Sequence, residues 1–150
     1  MFIKYLIAFI MSFVLVSAVM AAGSSSSTAS PKSVNYENGK KAVKSANYEE
    51  AIKLFTRVVV DKPKNADAWN YLGFSNRKLK KFDQAMNAYQ KALTINPEHL
   101  GANEYLGELY LQTDKLAKAR ERLKVLDGAC FFGCEEYDDL KAAIAAYENQ

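Results

Sequence analysis

Two thiols four residues apart, in Cys130-Phe131-Phe132-Gly133-Cys134, are the side chains of this sequence best placed to do chemistry. Three chemistries fit them. In an oxidising compartment they would join as a local disulfide, with Gly133 letting the backbone bend until the sulfurs meet. A ring that small contributes about 2 kcal/mol through loop entropy. As thiolates they could instead hold copper(I) or half of a zinc site. No His, Met or further Cys lies nearby in sequence, so the other ligands would have to come from a second chain. As a redox-active dithiol they would depart from the usual C-x-x-C spacing.

Acid–base and nucleophilic catalysis have less to work with. His99 is the only imidazole, and it follows Pro97-Glu98 in what reads as a solvated turn. The carboxylate pairs Glu49-Glu50 and Asp138-Asp139 are sequence neighbours, which do not face each other on a helix, so they read as solvated charge. No Gly-rich phosphate loop is present. The expectation is a protein that binds rather than catalyses, without a cofactor.

The N-terminus indicates where it would work. Met1–Ala22 has one charge, Lys4, then an apolar run from Tyr5 to Val19, then small residues. That is the layout of a secretory signal peptide, with cleavage expected after Ala21 or Ala22. The run is about 15 residues long, short of the ~20 a membrane span needs. An uncleaved anchor, and with it a membrane-anchored assembly factor, is the rival reading. Removing residues 1–22 leaves 19 basic against 17 acidic side chains, too balanced for an electrostatic nucleic-acid binder. Residues 23–33 (GSSSSTASPKS) carry almost no apolar side chains and read as a flexible spacer.

From there the chain repeats itself every 34 residues. Gly39, Gly73 and Gly107 recur at that interval, as do Ala51, Ala85 and Ala119. Tyr48, Phe82 and Leu116 match as large apolar residues, and so do Phe55, Tyr89 and Leu123. Pro63 and Pro97 match; the third equivalent is Phe131. Recurrence at one period in several columns is the signature of stacked units that each need a neighbour. Each unit reads as two amphipathic helices. The Gly and the Ala let them approach, and large residues fill the space around them. Ala46-Asn47, Lys80-Lys81 and Asp114-Lys115 supply the turn inside each unit. Pro63 and Pro97 stop the second helix. Asn65 and Asp67 are candidate caps for the helix of Trp69, and Asp83 for that of Ala85. Tyr137, Leu140, Ile144 and Tyr147 form one apolar stripe on a last helix, whose other face is Glu135, Asp138, Lys141 and Glu148.

Trp69-x2-Leu72-Gly73, followed by Ala85-x3-Tyr89-x2-Ala92 and Pro97, resembles the tetratricopeptide repeat consensus. Asn76 stands where the family usually has Tyr, a residue the next unit keeps as Tyr110. The resemblance implies an all-α, right-handed superhelical solenoid of three helix-turn-helix units, about 32–65, 66–99 and 100–133, within a repeat region 34–133. Residues 134–150 would form the C-terminal capping helix. Asn35 and Asn38 replace core residues at the open start. The tail from Ala129 onwards also resembles that of small exported bacterial proteins of this family.

The family binds partners in the groove lined by its first helices. Carried over by position, the groove residues are Tyr36, Lys40 and Lys44, then Asn70, Phe74 and Arg77, then Glu104, Glu108 and Gln112. One branch grips chaperone C-terminal carboxylates with a Lys-Asn-Asn-Lys-Arg clamp. Its places hold Tyr36, Lys40, Tyr71, Gly101 and Tyr105 here, none of which matches. Charge runs from +4 over 32–65 through +2 and 0 to −4 over 134–150, which reads as solvated helix faces. The resulting expectation is a periplasmic or secreted scaffold that binds a protein or peptide, not nucleic acid, and meets a membrane only if residues 1–22 remain. A thiol redox or metal protein using Cys130 and Cys134 is the alternative.

Overall fold

In the computed structural model, residues 31–150 are described; the expected export signal and the spacer up to Ser30 lie outside them. Seven helices follow one another: α1 (Pro31–Lys44), α2 (Tyr48–Asp61), α3 (Ala66–Lys78), α4 (Phe82–Ile95), α5 (Leu100–Gln112), α6 (Leu116–Ala129) and α7 (Glu135–Glu148). Helix α1 starts at Pro31, so the last three residues expected in the spacer are helical. Proline is well placed in a first turn, where its missing N–H costs no hydrogen bond.

The helices pair as α1·α2, α3·α4 and α5·α6, and each pair stacks on the next. The second helices show why. Ala51, Leu54, Phe55, Val58 and Val59 recur at three- and four-residue steps and are buried along one stripe of α2. Ala85, Ala88, Tyr89 and Ala92 do the same on α4. Burying a side chain the size of Phe55 or Tyr89, both with no exposed surface, stabilises the fold by roughly 1.5–3 kcal/mol.

Those two rings lie against the glycines of the 34-residue column. A methyl group added at Gly39 would come within 2.8 Å of the Phe55 ring, and one at Gly73 within 2.6 Å of the Tyr89 ring. The third unit departs from the pattern. Gly107 faces Leu140 of α7, where an added methyl would come within 2.5 Å, rather than Leu123 of its own second helix. Leu123 is shorter than the two rings and only partly buried; the capping helix fills the place instead. Leu140 and Ile144 are buried on α7, while Glu135, Asp138, Lys141 and Glu148 stay exposed as the stripe predicts. Tyr147 donates from its hydroxyl to Asp114 at 3.0 Å, and Arg120 pairs with Glu148, fastening α7 to the third unit.

The turns inside the three units are copies. Ala46, Lys80 and Asp114, 34 apart, all adopt the left-handed conformation, with φ of 56°, 58° and 55°. In each, the next N–H reaches back five residues: Asn47 to Ala42, Lys81 to Asn76 and Lys115 to Tyr110, at 2.8, 2.9 and 2.8 Å. This is the Schellman closure of a helix C-terminus. Between units, Trp69 donates its indole N–H to the Pro63 carbonyl at 2.9 Å. Asn103, 34 residues later, donates to the Pro97 carbonyl at 3.0 Å. One bond is thus made by two different side chains.

Of the expected caps, Asn65 accepts from the Ala68 N–H at 2.9 Å. Asp67 and Asp83 do not cap; both sit inside first turns, where negative charge meets the positive end of the helix. Asn76 is buried in the place of the missing Tyr and returns its amide N–H to the Leu72 carbonyl at 2.8 Å, satisfying itself within its own helix.

Two substitutions should move stability in opposite directions. Lys80→Gly relieves the left-handed strain and is expected to raise unfolding free energy by about 1 kcal/mol. Gly73→Ala drives a methyl into the Tyr89 ring and should lower it by about 1–3 kcal/mol. Urea unfolding of the two variants beside the parent protein measures both.

Candidate functional site

Helix α3 touches α1 on one flank and α5 on the other, and the three present a common surface along one side of the stack. Side chains cross it from helix to helix. Tyr36 on α1 meets Tyr71 on α3 edge-on at 6.1 Å, and Phe74 on α3 meets Tyr105 on α5 at 4.9 Å. Arg77 on α3 forms an ion pair with Glu108 on α5. Tyr36, Phe74, Arg77 and Glu108, four of the residues expected to line a groove, thus lie on this surface, and the expected residues are in very different states.

Lys44 and Gln112 are exposed at the C-terminal ends of their helices. Lys40 is half-buried, paired with Glu37 at 2.9 Å and held 5.2 Å above the Tyr36 ring. Phe74 is not a free aromatic: Tyr48 and Tyr105 flank it, and Lys78 and Arg77 lie 5.1 and 5.7 Å from its ring. Arg77 is not a free cation either. Only 5% of it is exposed; it lies between the Phe74 and Tyr105 rings and is neutralised by Glu108. A guanidinium tolerates this burial because rings and a carboxylate replace its water.

Asn70 and Glu104 are the unusual members. They are 7% and 5% exposed, and both line a cavity of about 340 Å³ at the floor of the groove. The Asn70 carbonyl oxygen is buried without a hydrogen-bond partner. Burial pushes the Glu104 carboxyl up to about 8, with Glu108, Asp139 and Glu136 adding to the effect and Arg77 opposing it. Burial likewise raises the Tyr36 and Tyr105 hydroxyls to about 12. The five places of the chaperone-tail clamp, Tyr36, Lys40, Tyr71, Gly101 and Tyr105, all line this same cavity, without the clamp's set of cations.

His99 is a correction to the sequence reading. It is not solvated: its side chain is 12% exposed. Nδ1 accepts from the Ala102 N–H at 3.1 Å, capping α5, and Nε2 lies 3.0 Å from Asp67 of α3. With Nδ1 accepting, the proton sits on Nε2 and is donated to the carboxylate. The signal for this was available, since His99 stands 34 residues after the cap Asn65.

The Cys130–Cys134 pair lies on the α6–α7 turn, where Cys130 packs on the apolar cluster of the third unit and α7. The sulfurs are joined, with Cα atoms 5.6 Å apart, and Gly133 takes φ 85°. Phe131 and Phe132, 88% and 96% exposed, project from the ring.

Comparison with known proteins agrees with this architecture. Residues 66–99 match the tetratricopeptide repeat family. Over 74 residues, 49% of the chain, the sequence is 35% identical to tetratricopeptide repeat protein 37 of Xenopus laevis, of which it spans only 5%. Two solved structures are similar in fold. The TPR2B domain of yeast Sti1, solved as a complex with an Hsp70 element, superposes with a TM-score of 0.73 at 16% identity, covering 79% of this chain and 97% of that one. The Yersinia enterocolitica type III secretion chaperone SycD, in complex with a peptide of the translocator YopD, superposes with a TM-score of 0.67 at 19% identity, covering 78% and 88%.

The raised Glu104 group sets a pH dependence. Its folded value near 8 lies above the ordinary 4.5, so the folded state binds the extra proton and stability falls as pH rises between them. Glu104→Gln removes that loss. Relative to the parent protein it should gain on the order of 2 kcal/mol at about pH 8.5 and almost nothing at about pH 4, read by urea unfolding at both.

Proposed function

From the premise that this chain is a tetratricopeptide-repeat protein, we propose that it is a non-catalytic adaptor. The groove across α1, α3 and α5 would hold an extended peptide or a helix of a partner protein. The observation that carries this reading is the continuous row of aromatic and polar side chains spanning the three first helices, from Tyr36 and Tyr71 to Phe74, Tyr105 and Glu108. Rigid aromatic anchors with polar groups between them suit peptide recognition, since little side-chain entropy is lost on binding. The similarly folded SycD, solved with a peptide of the translocator YopD, supports a peptide as the kind of partner.

The compartment proposed is the bacterial periplasm or the exterior. The layout of residues 1–22 supports export, and the joined pair Cys130–Cys134 suits an oxidising environment. There the bridge holds the α6–α7 turn in the place of the missing third proline.

Site-specific photo-crosslinking tests the groove. A benzophenone side chain at Lys44 or Gln112 is expected to capture a partner from cells. The same probe at Val60 or Lys91, exposed on second helices, is not. Adducts from Val60 or Lys91 alone would move the binding surface to the other side of the stack. Intact mass of the protein isolated from cells tests the compartment. The protein should begin after residue 21 or 22 and gain two hydrogens on reduction; retention of Met1 with free thiols would contradict export.

A further inference from the structure

The cavity at the groove floor is poorly satisfied by the protein's own side chains. Asn70 offers a buried carbonyl oxygen with no donor. Glu104, buried beside it, has no hydrogen bond or ion pair among the described residues, and Glu136 of α7 lines the same space without one. The nearby cations are already engaged, Lys40 by Glu37 and Arg77 by Glu108, and the His99 N–H is given to Asp67. Tyr36, Tyr71 and Tyr105 form the remaining wall. Gly101 keeps the floor open, because a methyl there would come within 3.0 Å of the Asn70 amide nitrogen.

Unpaired acceptors, uncompensated carboxyls and aromatic walls call for a group that donates hydrogen bonds and carries positive charge. Ammonium and guanidinium groups have donors and no acceptors, and both are attracted to aromatic faces. We propose that this cavity receives a lysine or arginine side chain of the bound partner, with its charge between Glu104 and Glu136 and its stem along the tyrosines. The space of about 340 Å³ is ample for one such side chain. The carboxyl that burial, Glu108, Asp139 and Glu136 keep protonated, and that Arg77 only partly relieves, gives up its proton once a cation compensates it. This inference rests on the groove being the partner-binding face and adds the charge of the residue that anchors there.

Amide-detected NMR of the ¹⁵N-labelled protein tests it without knowing the partner. The probes are Nα-acetyl-lysine-N-methylamide, its norleucine analogue and its glutamate analogue. The lysine probe should shift the Asn70 side-chain amide and the Gly101 backbone amide saturably, in the millimolar range. The norleucine probe should bind at least about tenfold more weakly and the glutamate probe not at all, since they lack the matching charge. Glu104→Gln and Glu136→Gln should each weaken the lysine probe several-fold. Equal shifts with norleucine, no saturable shift with lysine, or unchanged lysine binding in both variants would overturn the proposal. If the lysine probe fails while crosslinks at Lys44 and Gln112 persist, the groove remains the binding face and only the cation site falls.

Discussion

Everything in this structure depends on how closely the two helices of a unit can approach. Phe55 and Tyr89 lie flat against Gly39 and Gly73, with no room for even a methyl group between them. Interiors packed at crystal-like density do not relax easily around an added atom, so a column of glycine is the condition for the whole stack. The left-handed residues Ala46, Lys80 and Asp114 serve the same end. They close each first helix so that the second returns at once along it. Two of the three lack the side chain that tolerates this conformation best, and all three hold it because packing on either side determines the turn.

First and second helices share the core, through residues such as Leu72 and Leu106 as well as Phe55 and Tyr89, and the side of the first helices that faces away from it forms the groove. It is not a polar surface with a few aromatics on it. It is a partly buried layer in which Arg77 lies between two rings, Lys40 rests on Tyr36 and Glu104 has lost nearly all its solvent. Charges that remain in such a layer must be matched or neutralised. Arg77 is matched by Glu108. Glu104 is not, and keeps its proton instead. The capping helix contributes to this as well as closing the core, since Glu136 and Asp139 of α7 bear on Glu104 while Leu140 fills the slot at Gly107.

Most of the fold was legible because it repeats. The units, their turns, the apolar stripe of α7 and the cap Asn65 all follow from periodicity and local chemistry. Features in which one residue type replaces another were harder to see. Asn103 does for Pro97 what Trp69 does for Pro63, and His99 caps as Asn65 does; each sits on the 34-residue period, but neither resembles its counterpart. At the positions expected to line a groove, the sequence did not show the states of the side chains. Phe74 and Arg77, expected among the groove residues, are held by neighbours from other units.

The sequence by itself determined the helices, their pairing and the row of side chains that the first helices carry, since these depend on spacing along one chain and on which side chains are small. Tertiary structure alone decided which of those surface groups are available. Whether Arg77 meets Glu108, whether Leu140 or Leu123 covers Gly107, and whether Asn70 and Glu104 share a cavity with Glu136 depend on distances between units. Solvation, and therefore charge, is set by those distances and not by residue type.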